Sequence, residues 1–92
     1  MYKVTLLPDA ERSLRKLTGA PLERVTAKIG WLQQKADLII HHPLSSLPND
    51  LKGLCRVRVG NYRIIYWIYT ETKTIEVFAI EHRSRVYKSV QG

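Results

Sequence analysis

Gly60-Asn61 joins two stretches of alternating residues, Leu54 to Val59 and Tyr62 to Tyr69, and constrains the fold more than any other feature. A two-residue connection of this kind between period-two segments signals a β-hairpin. If those two residues are the whole turn, Val59 opposes Tyr62, Arg58 opposes Arg63 and Val57 opposes Ile64. Alternate side chains from both strands then share a face. One face carries Val57, Val59, Tyr62, Ile64, Tyr66 and Ile68, while the other carries Arg56, Arg58, Arg63, Ile65 and Trp67. The apolar face needs a second layer, which the rest of the chain must supply.

Tyr2, Val4 and Leu6 alternate with Lys3 and Thr5 and predict an N-terminal strand that stops at Pro8-Asp9. Asp9 is expected to cap a short helix running to about Leu17, with Ala10, Leu14 and Leu17 as its apolar side. Thr18-Gly19-Ala20 breaks it. From Pro21, placed at the first helical position, Leu22, Val25, Ile29, Leu32, Ala36 and Ile39 recur at steps of three and four and predict a long second helix. So short a link makes the pair an antiparallel hairpin. Residues 41 to 51, with Pro43, Pro48 and several Ser and Asn, read as a loop. A third strand of the C-terminal meander spans Thr74 to Ile80 after a turn around Glu71 to Lys73, and Arg83 to Val90 reads as a short helix. The expected fold is α+β: N-terminal strand, helical hairpin, antiparallel three-stranded meander and short C-terminal helix, with the helices packed on one sheet face. Trp31 is expected in the helix core and Trp67 on the sheet face. Tyr66 and Phe78 belong to the core, and Cys55 points toward the helices as a small buried hydrophobe.

Composition narrows the function. Ninety-two residues suffice for one domain, 1–92, since two cores would each fall near the ~40-residue size below which chains need staples. The longest apolar run, Ile64 to Tyr69, is far short of the ~20 residues a spanning helix requires, and Met1-Tyr2-Lys3 opens no secretory leader. With a single cysteine, a reducing cytoplasmic setting is the expectation. Fifteen Lys plus Arg against eight Asp plus Glu give a net charge of +7. The excess is uneven: residues 1–51 hold seven bases and five acids, residues 52–92 eight and three. Such clustering favours a polyanionic partner, either nucleic acid or an acidic protein.

Arg58 and Arg63, directly opposed, repel each other unless an anion sits between them. Single surface arginines usually splay into water, but three on one sheet face point to a ligand. Downstream, His82-Arg83-Ser84-Arg85-Val86-Tyr87 supplies a second set. On a helix Arg83 and Tyr87 stand at i and i+4 and project from one side. The plainer alternative makes Tyr87 a core aromatic and His82 a strand-end cap. No phosphate-binding glycine loop, zinc-protease motif or nucleophile elbow is present, and His41-His42 lacks a second ligand pair, so neither a metal nor a cofactor is expected. What remains is chemistry done by arginine, tyrosine and histidine. RNA cleavage by its own 2′-hydroxyl fits that set, because cations stabilise the pentavalent phosphorane and a tyrosine or histidine handles protons.

The run LKGLCRVRVGNYRIIYWI (51–68), followed by HRSRVY (82–87), resembles the RelE toxins of prokaryotic toxin–antitoxin modules, within the RelE/ParE superfamily. The resemblance implies a ribosome-dependent endoribonuclease that cuts mRNA in the ribosomal A site and arrests translation until a cognate antitoxin binds it in a hetero-oligomer. It implies catalytic roles for Arg56 and Arg58 at substrate-contacting basic positions, Arg63 at the phosphate, Arg83 near the leaving group, and Tyr87 stacking on or positioning the nucleotide, with a part in proton transfer also open to it. Lys52, Arg85 and Lys88 are the expected RNA- and ribosome-binding residues. Arginine stands at 56 and 58, where the best-known members often carry lysine, and arginine is not a plausible base. Proton transfer therefore falls to another group, for which His82 is the expectation. The alternatives are a ParE-like gyrase inhibitor and a non-catalytic basic nucleic-acid-binding module.

Overall fold

Local sequence rules account for most elements of the computed structural model, which describes residues 1–84. Strand β1 (Lys3–Leu6) leads into helix α1 (Pro8–Lys16), and helix α2 (Gly19–Lys35) follows after Leu17-Thr18. The capping residue of α1 is Leu7 rather than Asp9, because Pro8 takes the first turn, where a missing N–H costs nothing. Asp9 and Glu11 then lie in the first turn and Arg15 and Lys16 in the last, each complementing the helix dipole. In α2 the helix begins two residues before Pro21.

The second helix also ends earlier than its apolar stripe suggests, with Ala36 as its C-cap. Side chains of the following turn find other partners there. His41 Nε2 lies 2.8 Å from the Ala36 carbonyl, and Asp37 accepts from Tyr2 Oη at 2.6 Å and from Lys73 Nζ at 3.0 Å. These two bonds, the tyrosine hydroxyl first, hold the Asp37 carboxyl below its ordinary range. A depressed carboxylate stabilises the fold above the unfolded-chain value of ~3.9 and ceases to do so as pH falls through its folded value. Asp37→Asn should therefore lower the urea midpoint at pH 7, with the gap to wild type narrowing as pH falls below ~3.9. The exposed Lys73 pair keeps the difference modest.

The sheet has five strands in the order β1-β5-β4-β3-β2, with β2 (His42–Pro43), β3 (Cys55–Val59), β4 (Tyr62–Tyr69) and β5 (Thr74–His82). Strand β1 runs parallel to β5 and every other pairing is antiparallel. The segment expected to be wholly loop thus contains a two-residue edge strand, where a proline is tolerated, and a 3₁₀ turn at Asn49–Leu51. Gly60 turns the β3–β4 hairpin at φ +60°, and the register is the one its two-residue turn dictates.

One sheet face is covered by the helices. Ala10, Val25 and Leu32 pack there against Cys55, Ile64 and Tyr66 with Ile75 and Val77 of β5, all buried. Trp31, expected in this core, is instead 37% exposed, and Lys28 Nζ stands 3.9 Å from its ring centroid. Across the sheet a smaller cluster forms, in which Leu44, Leu47, Leu51 and Leu54 cover Ile65, Trp67, Phe78 and Ala79. No described helix is long and apolar enough to cross a membrane. Beyond Ser84 the helix expected over 83–90 lies outside the described residues.

Candidate active site

The second sheet face is divided. Residues 44–54 close one part of it, while near the Gly60 turn an open cleft of about 410 Å³ is lined by His42, Arg56, Val57, Arg58 and Arg63. Cross-strand register places these groups in two rows. His42 of β2 stands opposite Arg56 of β3, which faces Ile65 of β4. Two residues along the strands, ~7 Å away, Arg58 faces Arg63, which in turn faces Glu81 of β5. Arg56 and Arg58 are exposed and Arg63 is half-buried.

Glu81 changes the electrostatics that the hairpin alone implies. Glu81 stands opposite Arg63 across the β4–β5 pair and adds one negative charge to the arginine side of the sheet. One of its oxygens, Oε2, is buried without a hydrogen bond among the described residues. Glu81 reaches this face because of a β-bulge. Ile65 pairs with Ala79 and Tyr66 with Val77, which leaves Phe78 as the extra residue and reverses the alternation after it. Ile80 therefore joins Ile75 and Val77 under the helices.

The same reversal decides the position of His82. It stands opposite Tyr62, and the two rings meet edge to face at 5.2 Å on the helix-covered side of the sheet. His82 Nδ1 is further engaged with the Ser84 hydroxyl at 3.0 Å. The structure thus does not bring His82 together with Arg56, Arg58 and Arg63, and the expectation of proton transfer by His82 meets a geometry that points it away from them. Arg83 is held beside the hairpin turn by its backbone N–H, which donates to the Asn61 carbonyl at 2.7 Å. Lys52 is exposed, and its carbonyl accepts from Trp67 Nε1 at 2.8 Å. Arg85, Tyr87 and Lys88 lie outside the described residues.

The other titratable groups near the sheet are poorly suited to chemistry. Burial raises the Cys55 thiol, and burial pushes the Tyr66 phenol far above its usual range. His41 is committed at both ring nitrogens, with Nδ1 2.6 Å from Tyr66 Oη and Nε2 on Ala36. His42, by contrast, makes no side-chain hydrogen bond among the described residues, is exposed, and opens into the cleft. No group of three or more His, Cys, Asp or Glu among the described residues could hold a metal ion. His42 of the cleft and Glu81, the cross-strand neighbour of Arg63, are thus not site residues that the sequence alone points to. Pro43 masked the short strand behind the first, and the Phe78 bulge behind the second.

Known proteins share this fold over nearly their whole length. Residues 4–87 match the family model described as ParE toxin of type II toxin-antitoxin system, parDE. The chain is 29% identical over 87 residues to Toxin RelG of Mycobacterium tuberculosis, covering 95% of this chain and 97% of that protein. The toxin–antitoxin complex RelBE2 of the same organism superposes with a TM-score of 0.71 at 31% identity, over 89% of this chain and 98% of the other. The isolated E. coli RelE toxin shares the fold with a TM-score of 0.71 at 19% identity, over 97% and 94% of the two chains. The chain belongs to the RelE/ParE superfamily of type II toxin–antitoxin toxins, as a RelE family toxin.

Proposed function

We propose that this toxin is an endoribonuclease that cuts mRNA in the ribosomal A site and is held inactive by a cognate antitoxin. The observation that carries this reading is the open cleft in which Arg56, Arg58 and Arg63 converge beside the hairpin turn, where the backbone of Arg83 is tethered to Asn61. Several guanidinium groups in one cleft suit a phosphorane, whose charge grows as the 2′-hydroxyl attacks. Proton transfer and nucleotide placement then require groups that bind between these cations, and Tyr87 is the proposed stacking partner. Lys52, Arg85 and Lys88 extend the basic surface toward ribosome and RNA. The antitoxin assembly follows the solved relatives, among them RelBE2, which are toxin–antitoxin complexes. A toxin that acts on ribosomes works in the cytoplasm, and that is the location this reading assigns.

Primer extension on translating ribosomes tests the reading with purified toxin freed of antitoxin. Codon-phased A-site cuts are the expected result, together with ribosome affinity that falls steeply with salt. A second reading draws on the family model, which is described as ParE: a poison of DNA gyrase acting through protein contacts. Intact mRNA together with inhibited gyrase supercoiling would replace the first reading with the second.

A further inference from the structure

Resting on the interferase reading, the geometry points to His42 as the catalytic base that takes the 2′-hydroxyl proton. RNA cleavage by this route needs a group that exchanges a proton near neutral pH, and among side chains histidine is the ordinary one. Arginine stays charged and has no free pair to accept with. Among the described residues, His42 is the histidine that lines the arginine cleft. His41 beside it is consumed by Tyr66 and Ala36, and His82 lies across the sheet against Tyr62.

Position favours His42 as well as chemistry. Its pairing with Arg56 puts the imidazole one row from Arg58 and Arg63, so a phosphate held by the second row leaves the adjoining ribose at the first. The edge position of β2 leaves the ring open to an RNA strand entering from solvent. The charged groups that share this face with His42 are Arg56, Arg58 and Arg63, with Glu81 two strands from β3.

The step balances without a co-reactant. Neutral His42 accepts the proton from the 2′-hydroxyl, the 2′-oxygen forms a bond to phosphorus, and the bond from phosphorus to the 5′-oxygen breaks. The products are a 2′,3′-cyclic phosphate and a 5′-hydroxyl, whose proton comes from water, and imidazolium returns its proton to solvent. No oxidation or reduction occurs.

Single-turnover cleavage on programmed ribosomes, followed from pH 5 to 9 for wild type, His42→Ala and His82→Ala, decides the assignment. Wild type should show a rate that rises tenfold per pH unit on the acid side and then levels off. His42→Ala should lose that limb and slow by roughly 10²- to 10⁴-fold, with partial recovery on adding free imidazole. His82→Ala should keep the wild-type profile. A folded His42→Ala protein with unchanged rate and profile, beside an active wild type, would overturn the role of His42 and leave the interferase reading standing. A wild-type protein that cuts no mRNA would overturn both.

Discussion

Arg63→Ala is expected to slow A-site cleavage by roughly 10²- to 10³-fold, the usual loss when one preorganised donor to a developing oxyanion is removed. Arg63 sits at the centre of the cleft's outer row, flanked by Arg58 on β3 and Glu81 on β5, and its partial burial strengthens its interaction with a bound phosphate relative to the exposed Arg56 and Arg58. Arg63→Lys should recover only part of the rate, because an ammonium supplies the charge without the planar fork that engages two phosphate oxygens. The truncation also leaves Glu81 facing no cation across the β4–β5 pair, so some stability should be lost with the activity. The double variant Arg63→Ala/Glu81→Gln separates the two effects. It should regain stability and remain inactive, whereas recovery of cleavage would mean that Arg63 acts only by neutralising Glu81.

That row of residues shows how far the sequence carries. The Arg58–Arg63 pair was legible because a two-residue turn leaves no freedom of register, and the structure pairs the two residues directly. Glu81 was not legible, because simple alternation from Ile75 and Val77 assigns residue 81 to the helix side and residue 82 to the arginine side. The Phe78 bulge exchanges them. A bulge follows from how two layers pack, here Phe78 and Ala79 both turning toward Trp67 and Ile65, and nothing in the alternation of β5 itself announces it. His42 was hidden for a related reason: a two-residue strand of which one residue is proline carries no periodicity, and only the neighbouring strand makes it a strand.

The second large effect is expected in the core, and it separates two adjacent residues of α2. Leu32→Ala should cost about 3 kcal/mol, the ordinary range for emptying a fully buried leucine site. For a domain of this size that corresponds to a fall in melting temperature of roughly 10–25 °C. Trp31→Ala should cost about 1 kcal/mol or less, despite the larger side chain removed. Each helical residue turns the side chain by ~100°, so Leu32 shares the buried stripe with Val25 and Ala36, while Trp31 falls among Lys28 and Lys35 on the outer surface. Its main described partner, the Lys28 ammonium over the ring, is worth only ~0.5–1 kcal/mol at an exposed site. Composition favours tryptophan as a core residue, and the helical phase overrides it. Urea unfolding of the two variants compares the effects directly: a Trp31→Ala loss equal to that of Leu32→Ala would require α2 to be rotated on the sheet, carrying Leu32 out of contact with Ile64 and Tyr66.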